Sequence, residues 1–269
     1  MILLIIFWIL AGLSHILPFK LAVFITERIA DFMYFTFYAH GKRNWEANVK
    51  KIKKNLTKFD LRRLSAKNFR NFAKFIYEFL ILPRFNKREN LDKYLEVKNI
   101  ELLDEALKEG GAIVLTAHLG NWELGATMLS VYGYSPLVIA YPWVNEGMKR
   151  FYRRRREKAG MRVVYLDEPM LCVFKQLKKG GVVATLGDRD YTGTGDFFEF
   201  FGIKTRFPTG IFKIAEKTGA KVLPAFCVRE GDNYKVYFEK PVDNPVDWIK
   251  IFEMYVDRYL TQWYLYERL

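Results

Sequence analysis

The chain has 269 residues, 51% hydrophobic and 27% charged, which is enough apolar side chain for a full core and rules out a disordered tail. Its formal charge of +13 and pI near 9.5 call for an anionic partner: nucleic acid, a phosphorylated lipid surface or an acidic carrier protein. Two cysteines in apolar stretches, Cys172 and Cys227, exclude a disulfide framework and read as buried, reduced thiols.

Residues 1–19, MILLIIFWILAGLSHILPF, hold no Asp, Glu, Lys or Arg. They lack the positive opening and small-x-small site of a signal peptide, so they read as a retained membrane anchor. Ser14, His15 and Pro18 weaken the second half, which leaves three readings: a spanning helix, a helix in the interface, or a buried core helix. Lys42, Arg43 and the lysines of KKIKK follow, and they would keep the remaining chain on the cytoplasmic side.

Residues 20–90 are helical in pattern, with aromatics recurring through ADFMYFTFYAH and RNFAKFIYEFL until Pro83 and NKREN interrupt them. The basic run GKRNWEANVKKIKKNLTKFDLRR commonly marks a solvated helix face. Beside an anchor, the same cations would lie at headgroup height and attract anionic lipid. No zinc-finger spacing or RNA-binding aromatic signature supports a nucleic-acid partner.

Residues 91–269 alternate. IELLDEALKEGG predicts a helix, AIVLTA a strand, NWELGATMLSVYG a helix and PLVIAY a strand. The helix NEGMKRFYRRRREKAG, strand RVVYL, helix PMLCVFKQLKKGG and strand VVATLG follow. PTGIFKIAEKTGA predicts a helix opened by Pro208 and stopped by Gly219. KVLPAFCV and NYKVYFEK predict two closing strands, antiparallel to each other, and VDWIKIFEMYVDRYLTQWYLYERL a long amphipathic helix. This punctuation is that of an α/β fold, whose sites gather at the carboxyl ends of strands. His118 and Asp188 both fall there.

AIVLTA ends at His118, Leu119 to Asn121 make a turn, and Glu123 follows. A catalytic zinc needs about three protein ligands, and the other histidines, His15 and His40, stand in distant segments. None of the serines Ser14, Ser65, Ser130 and Ser135 sits in a G-x-S-x-G elbow, and neither cysteine has a basic neighbour. A histidine and a carboxylate without a protein nucleophile point to general-base catalysis on a substrate's own hydroxyl or amine.

The stretch AHLGNWELGA resembles the H-x4-[DE] signature of glycerolipid acyltransferases, in the form found in the lipid A biosynthesis acyltransferase family. A second block, LKKGGVVATLGDRDY followed by GDFFEFFGIKTRFPTGIFKIAEKTGAKVLPAF, is similar to that family's D-x-D, FFG and threonine-glycine helix start. The likeness runs from about Lys42 onwards. It implies an α/β/α sandwich around a mixed, mostly parallel sheet, with N-terminal helices at the membrane. It further implies a His118–Glu123 dyad and an acyl thioester donor, on acyl carrier protein or CoA, with no resident cofactor or metal. The implied acceptor is a glycolipid such as a lipid A precursor, with a phosphatidylinositol mannoside-like acceptor as the alternative. By the same resemblance Asp188, Arg189 and Asp190, Phe201 and Gly202, and Thr209 and Gly210 belong to the substrate-binding set. Tyr141 stands where lipid A members commonly carry arginine, and Arg206 has no equivalent in the threonine-rich versions expected of lipid A enzymes; both bear on the acceptor.

Within this reading, the turn at Gly120 and Asn121 offers backbone N–H groups to an oxyanion, unless Asn121 is simply a helix cap. FFEFF, Phe197 to Phe201, lines an acyl channel or packs in the core. Basic residues from Lys149 to Arg156 meet an acidic carrier, lipid phosphates or solvent. A lipid hydrolase using the same histidine, and a non-catalytic membrane-binding protein, are the rival classes.

Overall fold

A computed structural model describes residues 19–36 and 39–269. The segment read as an anchor therefore lies outside the described residues, apart from Phe19. Among the described residues, no helix is long and apolar enough to cross a membrane.

Three helices come first: α1 (Phe19–Thr36), α2 (Ala39–Ile52) and α3 (Lys58–Leu80), the last capped by Thr57. Ala22, Ala30 and Tyr34 bury one side of α1. Lys74–Glu27 and Arg70–Asp31 ion pairs tie α1 to α3. The other side of α1 exposes Leu21, Phe24, Ile25, Ile29 and Phe32, a stripe at helical spacing, with Arg28 laid over the Phe24 ring at 5.5 Å. Short turns at Leu82–Phe85 and α4 (Arg88–Leu91) lead to the sheet.

The sheet elements are β1 (Leu95–Lys98), β2 (Ala112–Thr116), β3 (Leu137–Ala140), β4 (Arg162–Tyr165), β5 (Val182–Leu186), β8 (Lys221–Glu230) and β9 (Asn233–Phe238). Their lateral order is β1-β9-β8-β2-β5-β3-β4. β8, β2, β5, β3 and β4 run parallel, while β9 pairs antiparallel with β8 and carries β1 alongside. The fold is thus α/β with a mixed, mostly parallel sheet, and the two closing strands pair antiparallel as expected.

β2 is buried on both faces, as a central parallel strand must be. Ala112 and Val114 face one core with α6 (Trp122–Val131) and α7 (Glu146–Lys158). Ile113 and Leu115 face the other with α8 (Leu171–Lys178), α9 (Gly210–Thr218) and α10 (Pro245–Arg258). α5 (Glu101–Glu109) packs with the first core through Leu103 and Ala106. Each of these helices matches a predicted one, including the left-handed stop at Gly219.

Three features differ from expectation. FFEFFG, read as channel wall or core, makes a hairpin the pattern did not announce, β6 (Asp196–Phe200) with β7 (Ile203–Phe207), turning at Phe201 and Gly202. Cys172 is exposed, and only Cys227 is buried. The final helix ends at Arg258, after which residues 260–266 form a 3₁₀ turn and then an extended strap. Side-chain donors from α2 and α3 hold that strap out of helical form. Trp45 Nε1 and Asn68 Nδ2 each donate to Trp263 O at 2.9 Å, and Asn44 Nδ2 donates to Tyr266 O at 3.0 Å. Asn48 and Asn71 reach further carbonyls along it.

Replacing Asn68, 1% exposed, by alanine strips partners from buried carbonyls and from the Tyr266 hydroxyl. Asn68→Ala is expected to cost about 2 kcal/mol and to raise protease cleavage within residues 260–266, read by denaturant unfolding and limited digestion.

Candidate active site

Strand register assembles the centre of the site. β2 and β5 are neighbours with Thr116 opposite Leu186, and Gly187 N donates to Thr116 O at 2.8 Å to extend the ladder. His118 and Asp188 each lie two residues beyond those paired ends, so the sheet brings them side by side. His118 Nδ1–H donates to Asp188 Oδ1 at 2.8 Å, with side-chain exposures of 17% and 1%. Because a carboxylate only accepts, this bond fixes the ring tautomer and leaves Nε2 as the basic nitrogen. Burial pushes the Asp188 carboxyl up, but the His118 ring and its hydrogen bond, with Arg189 beside them, outweigh it and hold the group below the usual carboxylate range.

The expected His118–Glu123 contact is not made. Glu123 opens α6 on the side turned towards α7, where Arg156 Nε donates to Oε2 at 3.0 Å and Nη2 to Oε1 at 2.6 Å. Both side chains are largely buried, and the fork geometry accounts for the carboxylate's acceptor capacity. The ring's orienting carboxylate is Asp188, supplied by the adjacent strand.

The expected oxyanion turn also differs. Gly120 N donates to Gln262 O at 2.9 Å and Asn121 N to Cys227 O at 2.7 Å, so neither amide is available to a substrate. The reason is close packing on β8: Gly120 has φ +65°, and a Cβ there would lie 2.0 Å from Cys227 O. Asn121 is a helix cap, with Oδ1 accepting from Leu124 N at 2.9 Å.

Aromatic rings surround His118. Trp122 meets it edge-on at 5.0 Å and Tyr191 at 6.5 Å, and Tyr141 stacks on Tyr191 at 4.3 Å. Arg189 donates to Tyr264 O and to the Tyr191 hydroxyl, tying the strap to the site. Asp190 is spent on its own loop, accepting from the N–H groups of Thr192, Gly193 and Gly195. The remaining predicted residues stand with the hairpin. Phe201 N donates to Glu253, Gly202 closes the turn, and Arg206 lies over the exposed Phe197 ring at 4.6 Å. Thr209 bonds Asp196 at 2.7 Å, just before Gly210 begins α9. Phe200, for which the sequence left channel wall or core packing open, is core: it is sealed against Phe252, Phe207 and Trp263.

A small apolar cavity of about 50 Å³ lies on the opposite face of the sheet beneath α6. Trp122, Thr116, Glu123 and Arg156 line it together with Val114, Met128, Ala184, Val236 and Phe238. Cys227 lines it too, but burial pushes that thiol well up and leaves it a poor nucleophile. Among the described residues no group of His, Cys, Asp or Glu has the makings of a metal site.

Residues 1–250 match the family described as bacterial lipid A biosynthesis acyltransferase. The chain belongs to this family. It is also 32% identical over 177 residues to a phosphatidylinositol mannoside acyltransferase of Mycolicibacterium smegmatis, covering 63% of this chain and 58% of the relative. The corresponding Mycobacterium tuberculosis protein is 30% identical over 176 residues, covering 62% and 55%. The match thus spans little more than half the length of these curated relatives.

Sequence reasoning does not single out Arg156, Trp122 or Tyr191 as site residues. Arg156 is one of a basic run, and only its place opposite Glu123 distinguishes it. Glu123→Gln breaks a buried ion pair and is expected to cost about 3 kcal/mol, measured by chemical denaturation. For Asp188 the folded pKa is depressed, so its stabilisation is complete above the unfolded value and is lost as pH falls through the folded one. Asp188→Asn should therefore flatten the loss of stability that sets in as pH falls below about 4, as read by thermal melts at successively lower pH.

Proposed function

We propose that the protein transfers a fatty acyl chain from an acyl thioester to a hydroxyl of a membrane glycolipid. The observation that carries this reading is the His118–Asp188 pair at the in-register ends of β2 and β5, with the rings of Trp122 and Tyr191 around it. A base held in one tautomer among aromatic side chains, with no protein nucleophile beside it, suits attack by an external hydroxyl on an acyl group.

In the reaction, His118 Nε2 takes the proton of the acceptor hydroxyl as its oxygen bonds to the thioester carbonyl carbon. Asp188 stabilises the imidazolium that forms. The tetrahedral intermediate expels the thiolate, which takes its proton from His118, leaving an ester and a free thiol. His118 is the catalytic residue and Asp188 a positioning residue.

The names of the curated relatives support a phosphatidylinositol mannoside-like acceptor, and the family supports a lipid A-like one. Both are glycolipids, and the shared chemistry is a sugar hydroxyl on an anionic lipid. The donor is an acyl chain on acyl carrier protein or CoA. The exposed apolar stripe of α1 with Arg28 supports work at a lipid surface, at the cytoplasmic face of a bacterial inner membrane.

The test supplies a radiolabelled acyl thioester, once on carrier protein and once on CoA, with a glycolipid extract. Transfer moves label into lipid, while hydrolysis releases free fatty acid. His118→Ala and Asp188→Asn are each expected to slow transfer by about 10²-fold or more. Label found only in free fatty acid, or full activity in His118→Ala, refutes the reading.

A further inference from the structure

Glu78 is a buried carboxylate that the chemistry above does not use. It lies near the end of α3 and is 1% exposed, in the apolar run Tyr77–Leu82. Burying a carboxylate is costly unless its oxygens are fully hydrogen-bonded. Glu78 has three donors: Arg229 Nη2 at 2.5 Å, the Tyr234 hydroxyl at 2.5 Å and Asn121 Nδ2 at 2.8 Å. Arg229 and Tyr234 come from β8 and β9. Asn121 comes from the turn that carries His118.

Asn121 is wholly buried, so each end of its side-chain amide has a fixed task. Oδ1 caps α6 at Leu124 N, and Nδ2 meets Glu78. Flipping the amide would put Nδ2 against the Leu124 N–H and Oδ1 against a carboxylate, so an ionised Glu78 admits one orientation only. The same network closes on the turn from its other side. Arg229 N donates to Gln262 Oε1 at 2.8 Å, Gln262 Nε2 donates back to Arg229 O at 2.9 Å, and Gln262 O accepts from Gly120 N. Tyr264 N then donates to His118 O at 2.9 Å. Beside the amides of Asn68 and Asn71, this carboxylate is a further link from α3 to the backbone of His118, and the one that acts through the turn itself.

We propose that Glu78 is a positioning residue for acyl transfer, fixing the His118 turn through the side-chain amide of Asn121. The proposal rests on the acyl-transfer reading for its effect on rate, but not for its effect on geometry. A displaced base loses rate without losing donor affinity, because Glu78 and Asn121 are buried away from any bound donor.

The decisive variant is Asn121→Ser. Serine caps α6 as well as asparagine does, but its hydroxyl stands one bond closer to the backbone than Nδ2 and falls short of Glu78, and the change leaves the Glu78–Arg229–Tyr234 contacts in place. Two readouts are taken on the full chain. In hydrogen exchange, the backbone amides at positions 120 and 121 should lose about tenfold protection, while β2 and β5 keep theirs. In kinetics, kcat should fall about tenfold with KM for the acyl thioester within about twofold. Glu78→Gln should behave alike, and the double variant should be no slower than the slower single, since both remove one link. If Glu78→Gln fails to fold because Arg229 is left unpaired, Asn121→Ser decides alone. Wild-type exchange, a wild-type kcat in an active preparation, or additive losses in the double variant overturns the proposal. Raised exchange in a protein whose wild type moves no acyl label leaves the positioning intact and refutes the acyl-transfer reading instead.

Discussion

The turn from His118 to Asn121 cannot hold its own shape, and much of the molecule is arranged to hold it. It leaves a central strand, makes a left-handed step at Gly120 and starts a helix within a few residues. Its backbone groups have no partners within the turn beyond a single Leu119–Ala117 bond. β8 and the strap take them up, through Cys227 O, Gln262 O and Tyr264 N. Buried backbone groups without partners would cost as much as lost hydrogen bonds, so those distant segments are obligatory parts of the turn.

The strap in turn explains the helices that precede the sheet. Asn44, Asn48, Asn68 and Asn71 present amide donors to its carbonyls, and Trp45 adds an indole N–H. α2 and α3 therefore act on the site at one remove. They are amphipathic in an unusual sense, because the buried face of each mixes aromatic bulk with amides instead of being purely apolar. The two nearby carboxylates divide along similar lines. Asp188 faces a histidine, so its charge bears on the ring, while Glu123 faces a guanidinium and joins α6 to α7.

Much of the sheet and its helices is legible because β-branched runs bounded by glycine and amphipathic helices alternate cleanly. AIVLTA and VVATLG announce two strands with polar residues at their carboxyl ends, and that pattern is enough to find His118 and Asp188. What spacing does not carry is lateral order. Nothing in the chain between Thr116 and Leu186 says that these two strands lie side by side, so the carboxylate nearer in sequence, Glu123, reads as the partner of His118. Arg156 is hidden among identical neighbours in RRRR for the same reason. The strap reads as helix because LTQWYLYERL has a helix-like scatter of apolar residues, and only the amides waiting on α2 and α3 make the extended form better. FFEFF reads as channel wall or core without announcing a hairpin, because an alternating hairpin with one sealed face and one exposed face has no period distinct from a short apolar run. Glu78 does leave a signal: a lone acid within YEFLIL is a buried charge in need of partners.

The dependence of the His118 turn on residues 260–264 also sets an order of events during synthesis. β2 pairs with β5 and β8 over long separations, and the turn at its end waits for a segment that emerges later still. Until Gln262 and Tyr264 arrive, the carbonyl of His118 and the amide of Gly120 have only water for partners, and the backbone that carries the ring has no fixed bearing. Loop closure over so long a separation is slow relative to the local helices and hairpins. A nascent chain with most of its sheet already built therefore carries the histidine without the geometry that would make it a base, and that geometry comes only with the last crossing of the chain.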